Sequence, residues 1–304
     1  MKRTKRVLGL ALAAVMCMGL LAGCGGSPSN SDTADETSGT ETSEKVLNIA
    51  TIGETTTLSP LYMIADNRPT QKLLYEGLVK YVDGEIQPVL AEDWELSEDG
   101  TQLTFYLRQG VTFHDGEPFN AEAAIANIES WHINPSFASL PGVVNYTNIE
   151  AVDEYTIRLT YDTPYFAYIN DFCWPDVCTM ISPKLITQGD FQTVNGYAGT
   201  GPYIYDEYVA GQYTTFVRNE NYWGEQPYYD KIVAKYIPDN ASRVQALQTG
   251  EIDLIYGSAE LSYEDYNQAT AIEGIEGKFA PSGSTIRNII LNFNGNLADL
   301  SVRQ

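Results

Sequence analysis

The chain has 304 residues, of which 40 are acidic and 18 are basic, so its formal net charge is −22 at pH 7. This balance argues against a nucleic acid partner, because phosphate binding depends on lysine and arginine side chains. The acidity fits a well-hydrated surface, and it also favours cationic ligands over anionic ones.

The first segment has the pattern of a secretory signal. Residues 2–6 contain four basic side chains, and an uncharged apolar run from Val7 to Leu21 follows. The run is too short for a stable membrane span. It ends in Leu21-Ala22-Gly23-Cys24, the sequence of a bacterial lipobox. We expect cleavage before Cys24 and lipidation of its thiol, which would anchor the protein on the outer face of the cell membrane. The alternative is a plain signal peptide with an unmodified cysteine.

A polar tether follows the signal. Residues 24–45 consist of the lipidated cysteine and a stretch of Ser, Thr, Gly, Asp and Glu that contains almost no apolar side chains to offset the entropy of ordering. Loss of the signal leaves 14 basic residues against 40 acidic ones, a formal charge of −26. The remaining stretch of about 260 residues is long enough for a large core and more than one lobe.

The first half of this stretch contains strands, helices and one clear hairpin. Strands are predicted at 46–52, 78–82, 94–96, 103–107 and 154–161, and helices at 68–76 and 121–131. The turn at 97–100 joins two alternating strands into a hairpin, and Asn120 caps the second helix. Pro164 is expected to open a further short helix.

The second half combines a long hairpin with a strand–helix–strand unit. Strands are predicted at 203–209, 213–217, 231–237, 252–256 and 284–294. Asp239 caps the helix between the third and fourth of these strands, and Gly250 ends it. The mixture of hairpins and strand–helix–strand units predicts an α/β fold with mixed sheets.

Four segments carry a resemblance to a known family. They are residues 91–121, which include AEDWELSEDG and FHDGEPFNA, and the segments 199–203 (GTGPY), 218–224 (RNENYWG) and 243–253. The sequence from Val46 to Gln304 closely resembles the family 5 bacterial extracellular solute-binding proteins, the peptide- and nickel-binding class. Most of these residues have scaffold roles: Gly100 and Gly116 suit turns with positive φ, and His114 is expected to be hydrogen-bonded in a turn rather than to bind metal.

The resemblance implies a periplasmic-binding-protein-like fold with two lobes that close over a ligand, the first lobe being subdivided. It places the core of lobe I at 46–66 and 182–257, the lobe I subdomain at 67–181, and the start of lobe II at 258–304. Family members continue well beyond the last matched residues, so we expect a chain whose second lobe is largely missing, with weakened closure and affinity.

The resemblance also implies a set of ligand-binding residues. In the nickel-binding branch, cargo contacts come from the segment after the first strand, from the linker before the strand at 154–161, and from the segment before 181–183. The matching positions here are Tyr62, Met63, Arg68, Phe137 and Asp176. Aromatic and thioether side chains suit a cleft for varied solutes, although each of them singly also fits an ordinary core.

Asp176 departs from the nickel-chelate binders, which have an arginine that grips the carboxylates of the chelator. A carboxylate at this position would repel an anionic chelate and favour a cationic group, such as a peptide amine. The alternative is an aspartate that caps a turn after Pro175.

Two cysteines, Cys173 and Cys178, remain after the signal and the lipid anchor are accounted for. Their spacing is compatible with a disulfide or with two buried thiols, and a metal site is the weaker reading because no histidine lies near them in the sequence.

The resemblance implies the substrate-binding lipoprotein of an ABC importer, a monomer without cofactor or metal. Its partners would be a peptide or nickel-type small solute, the permease subunits of the transporter, and the membrane through the anchor. A peptide-sensing receptor lipoprotein is the alternative within the binding class. A secreted hydrolase with two working carboxylates is the competing class. The sequence contains no His-Glu-x-x-His or Gly-x-Ser-x-Gly motif, and we expect no enzyme.

Overall fold

The computed structural model describes residues 44–62, 68–174, 177–187, 196–258, 261–279 and 287–292. Helices and strands are mixed along this part of the chain, as an α/β fold requires. Its first elements are β1 (Val46–Thr51), α1 (Arg68–Leu74), β2 (Val79–Val82), β3 (Glu85–Pro88), β4 (Ala91–Leu96), β5 (Gln102–Leu107), α2 (Ala121–His132), α3 (Pro141–Val144), β6 (Tyr146–Asp153) and β7 (Thr156–Tyr161). The later elements are α4 (Tyr168–Phe172), β8 (Tyr203–Val209), β9 (Tyr213–Arg218), β10 (Lys231–Tyr236), α5 (Asn240–Thr249), β11 (Leu254–Ser258), α6 (Tyr263–Thr270), β12 (Ile275–Phe279) and β13 (Arg287–Asn292).

A seven-stranded mixed sheet is built around β1. The strand order is β12-β13-β11-β1-β10-β9-β8, and β1 runs parallel to both of its neighbours, β10 and β11. Adjacent residues of β1 face opposite sides of the sheet, so Ile49 packs in the cluster that contains Leu74 of α1, and Ala50 packs in the cluster that contains Leu247 of α5. The central strand is therefore buried on both faces, as expected where helices cover a parallel pairing.

A second sheet has four antiparallel strands in the order β4-β5-β7-β6. Alternate residues of β5 and β7 point towards α2, which contributes Ile128 and Trp131 to the same core. The hairpin β4–β5 and the Asn120 cap were both predicted: the side chain of Asn120 accepts a hydrogen bond from the backbone N–H of Ala123 at 3.0 Å. A separate pair of strands, β2 and β3, completes the described sheets.

The predicted turn and cap glycines have the expected backbone. Gly100 and Gly116 have φ angles of 68° and 85°, and Gly250 ends α5 in the left-handed conformation. Asp239 caps the other end of α5 through its hydrogen bond with Ser242 N. These local signals were sufficient because each of them concerns a few consecutive residues.

The prediction of a helix opening at Pro164 is wrong. Helix α4 begins at Tyr168, four residues later. The backbone N–H of Tyr165 donates to the carbonyl of Gly100 at 3.1 Å, and the ring of Phe166 lies against Gly100. The segment after Pro164 is therefore held against the β4–β5 turn, and this long-range contact prevails over the local helix signal.

The boundary predicted at residue 258 does not coincide with a break in the larger sheet. β11 ends at Ser258, and β13 pairs with it along its whole length, from Leu254–Leu291 to Ser258–Arg287. β12 extends the same sheet by one more strand. The described residues after 258 thus continue the sheet of β1, while the division of the chain into lobes stays a prediction.

Among the described residues, no helix is long and apolar enough to cross a membrane. The signal segment, Cys24 and most of the tether lie outside these residues.

Candidate ligand-binding site

The turn that follows β1 contains Tyr62, the first of the predicted ligand-binding residues. The backbone N–H of Tyr62 donates to the carbonyl of Ser59 at 3.3 Å, and that of Leu61 donates to the hydroxyl of Ser59 at 3.3 Å. Ser59 and Leu61 are fully buried, whereas Tyr62 is half-buried. The turn therefore has a buried base and leaves part of Tyr62 available for contact.

Phe137 is the second predicted ligand-binding residue that the structure describes, and it lies in the hydrophobic core. It ends a 3-10 turn, Pro135–Phe137, which begins when the side chain of Asn134 accepts a hydrogen bond from Ser136 N. Its ring is 0% exposed and stacks on Trp131, with centroids 5.8 Å apart and planes 5° from parallel. Leu61 belongs to the same hydrophobic cluster. This burial does not support direct contact between Phe137 and a solute; it places Phe137 in the same core as Leu61, the residue before Tyr62.

The other predicted ligand-binding side chains are not described. Met63 and Asp176 lie outside the described residues, and only the backbone of Arg68, at the start of α1, lies within them. Of the predicted set, only the side chains of Tyr62 and Phe137 are described. They are connected indirectly, because Asn134, which begins the turn of Phe137, donates a hydrogen bond to the carbonyl of Leu61.

Cys173 and Cys178 are free and buried, so the structure has two buried thiols rather than a disulfide. The Cys173 thiol donates to the carbonyl of Ile169, and the Cys178 thiol donates to that of Asp171, each at 3.4 Å. Burial raises the pKa of Cys173 to about 11, and it also raises that of Cys178. Thiols with raised pKa values have little thiolate and are poor nucleophiles and metal ligands.

His114 joins the part of the chain around the four-stranded sheet to the residues before β8. The backbone N–H of Gly199 donates to its Nδ1 at 3.3 Å, so Nε2 carries the proton and donates to the carbonyl of Gly201 at 2.9 Å. Burial lowers the pKa of His114, which favours this neutral form. The prediction that His114 is a hydrogen-bonded structural residue is confirmed.

Glu76 has a structural role that no sequence pattern indicated. Its carboxylate accepts hydrogen bonds from the Thr200 hydroxyl at 3.0 Å, the Tyr222 hydroxyl at 2.7 Å and the Trp223 indole N–H at 2.7 Å. Burial raises the pKa of Glu76, and the three donors partly oppose that shift. The Arg108 guanidinium lies 4.4 Å from the Trp223 ring centroid, a cation–π contact.

Three of the segments that carry the family resemblance meet at Glu76 and His114. His114 comes from 91–121, Thr200 comes from 199–203, and Tyr222 and Trp223 come from 218–224. These residues hold loops together and are largely enclosed, so the arrangement is a structural junction. In the sequence, this junction is marked only by an acidic residue just after α1. No local pattern specifies its partners, which lie more than 120 residues away.

Within the described part of the chain, no group of three or more His, Cys, Asp or Glu side chains is arranged to hold a metal ion. The hydrogen-bonded turn at Ser59–Tyr62 is therefore the best-defined candidate for contact with a solute.

Comparison with known proteins identifies the family. Residues 85–304 match the model of the bacterial extracellular solute-binding proteins, family 5, middle region. The chain belongs to this family. Its α/β fold and the resemblance found in the sequence are thereby confirmed, and the family is one of solute-binding proteins rather than enzymes.

Relatives within the family differ in their cargo. The chain is 38% identical over 209 residues to the nickel-binding periplasmic protein of Escherichia coli (strain K12), which covers 67% of this chain and 40% of that protein. It is 34% identical over 219 residues to the glutathione-binding protein GsiB of Pectobacterium atrosepticum, covering 68% and 41%. The structure of NikA from Brucella suis in complex with Fe(III)-EDTA matches with a TM-score of 0.73 and 32% identity, over 78% of this chain and 49% of that one. The chain thus spans about two fifths to one half of the length of these relatives.

Proposed function

We propose that this chain is part of the substrate-binding lipoprotein of an ABC importer, which captures a peptide or nickel-type small solute outside the cell and delivers it to the membrane permease. The observation that carries the proposal is the position of the Ser59–Tyr62 turn. β1, β10 and β11 are parallel, so the chain leaves β1 at the carboxyl edge shared by three strands, and the Ser59–Tyr62 turn belongs to the segment that starts there. Ligands of α/β sheets generally bind at this edge.

The half-buried ring of Tyr62 suits the wall of such a cleft, because an aromatic ring gives apolar contact and its hydroxyl gives a polar one. Met63, Arg68 and Asp176 are proposed to add contacts from the same and neighbouring segments. Phe137 is proposed to support the Tyr62 segment from below, in keeping with its complete burial.

The cargo is proposed to have a positive group that Asp176 contacts. The support is the carboxylate at a position where nickel-chelate binders of the family have arginine, together with the acidity of the chain. In the full-length protein, Asp176→Asn should weaken binding of a peptide with a free N-terminus by well over tenfold, since losing one partner of a desolvated charge pair typically costs about 2–5 kcal/mol.

The test titrates the parent and Asp176→Asn with glutathione, with tripeptides that have free or acetylated N-termini, and with Ni(II)–EDTA as an anionic chelate. Acetylation of the peptide should weaken binding to the parent but not further weaken binding to the variant. Equal binding of the free peptide by both proteins, or preference of the parent for an anionic chelate, would remove Asp176 from the site.

The lipid anchor is proposed to lie at Cys24. Metabolic labelling with a fatty-acid analogue should label the parent and not Cys24→Ala, and the variant should leave the membrane fraction. Labelling of Cys24→Ala to the parent level would show that the anchor is elsewhere.

A further inference from the structure

The Ser59–Tyr62 turn is gripped by two side-chain amides that come from different parts of the chain. Gln71, in α1, donates through Nε2 to the carbonyl of Ser59 at 2.8 Å. Asn134, just after α2, donates through Nδ2 to the carbonyl of Leu61 at 2.8 Å. Gln71 is 7% exposed and Asn134 is 2% exposed, so both hydrogen bonds are shielded from competing water.

The Asn134 amide is fully engaged. While its Nδ2 donates to Leu61, its Oδ1 accepts the backbone N–H of Ser136 at 3.0 Å and starts the turn that leads to Phe137. The side chain is therefore fixed at both ends, and the carbonyl next to Tyr62 is fixed with it. Because the Tyr62 N–H bonds back to Ser59, which Gln71 holds, both peptide groups that flank this turn are anchored.

We propose that Gln71 and Asn134 are positioning residues that hold Tyr62 in its solute-binding orientation before the solute arrives. The inference rests on the proposed function, since it takes Tyr62 as a contact to the cargo. A turn that is already ordered does not lose conformational freedom on binding, and each flexible side chain or loop that must be ordered otherwise weakens affinity.

A matched control lies seven residues earlier. Asn127, in α2, is 0% exposed and donates to the carbonyl of Ile181 at 2.8 Å while accepting its N–H at 2.9 Å. It is as buried and as well bonded as Asn134, but it holds the segment at Ile181 rather than the turn of Tyr62. Asn127→Ala should therefore destabilise the fold without acting through Tyr62.

The test uses the full-length protein and a double-mutant cycle between Asn134→Ala and Tyr62→Ala, titrated with reduced glutathione and with a nickel–histidine complex. Asn134→Ala should weaken binding roughly three- to tenfold when Tyr62 is present and have no further effect in the Tyr62→Ala background. Gln71→Ala should behave in the same way, and it replaces Asn134→Ala if that variant does not fold. Asn127→Ala should show no coupling to Tyr62.

Hydrogen exchange gives a readout that does not depend on the cargo. The amides of Leu61 and Tyr62 should exchange at least about tenfold faster in Asn134→Ala than in Asn127→Ala, when the two are compared at equal global stability. Unchanged exchange at these amides, or full additivity of the two affinity losses, would overturn the positioning role while leaving Tyr62 as a contact. Unchanged affinity in Tyr62→Ala would instead refute the contact itself, and the inference with it.

Discussion

The indole Nε1 of Trp223 donates a hydrogen bond of 2.7 Å to the carboxylate of Glu76, which lies 147 residues earlier in the chain. The same carboxylate also accepts from Tyr222 and Thr200, so one enclosed charge holds the end of α1 to two loops. None of these three donors is a cation, so the burial of the charge is offset mainly by neutral dipoles, with a smaller contribution from the charge of Lys80.

This burial gives the stability of the protein a distinctive pH dependence. Because the pKa of Glu76 is raised above its ordinary value of 4.5, the folded state holds this proton more tightly than the unfolded state does. Its contribution to the free energy of unfolding is thus full below about pH 4.5 and is lost as the pH rises through the folded-state pKa. As the pH rises over this range, the urea midpoint of the parent should fall relative to that of Glu76→Gln. Glu225→Gln, at an exposed carboxylate, is the control, and a difference that stays constant with pH would contradict the prediction.

His114 should act in the opposite direction. Its pKa is lowered from 6.5 by burial, so the folded state resists protonation and loses stability as the pH falls through and below about 6.5. In His114→Gln, this acid-dependent loss should disappear. The chain has only two histidines, so proton NMR of the imidazoles can assign the shift by comparison with His132→Gln. A His114 resonance that titrates with an ordinary histidine pKa would contradict the prediction.

Phe137 should behave as a core residue. Phe137→Ala should lower the free energy of unfolding by about 3–5 kcal/mol, because it removes a fully buried ring and leaves a cavity beside Trp131. Phe166→Ala, at a ring that is 67% exposed, should cost less than about 1 kcal/mol. Urea denaturation followed by circular dichroism measures both. A small loss for Phe137→Ala would show that the ring is not packed as described.

Asp239 should contribute a separable amount through its helix cap. Its Oδ1 accepts from both the N–H of Ser242 at 2.8 Å and the hydroxyl of Ser242 at 2.7 Å. Asp239→Ala should therefore lower stability by about 1 kcal/mol, whereas Asp239→Asn should retain most of it. Thermal unfolding of the two variants distinguishes them, and equal losses would indicate that charge rather than capping is responsible.

Local signals accounted for much of the fold. The β4–β5 hairpin, the caps at Asn120 and Asp239 and the glycine that ends α5 depend on a few consecutive residues, and all of them are observed. β6 was missed because most of its residues are exposed at the edge of the sheet, so it shows no alternation of buried and exposed positions. β3 and α6 were missed for a related reason, since short or polar elements have a weak periodic signal.

The candidate site was less predictable than the fold. Tyr62 was found through the family resemblance, but Gln71 and Asn134, which hold its turn, are polar residues with no local pattern that assigns their partners. Asn134 and Leu61 are 73 positions apart, and Glu76 and Thr200 are 124 apart. Such contacts depend on how the two sheets are brought together, which residue spacing does not specify.

The position of β1 also determines when the larger sheet can be completed. Val46 pairs with Lys231 and Ile49 with Leu254, so β1 finds both of its neighbours only after synthesis has passed Leu254. The four-stranded sheet needs only residues 91–161 and can close much earlier. Until β10 and β11 have been made, β1 is a strand with two open edges, which leaves it exposed to pairing with the wrong strand.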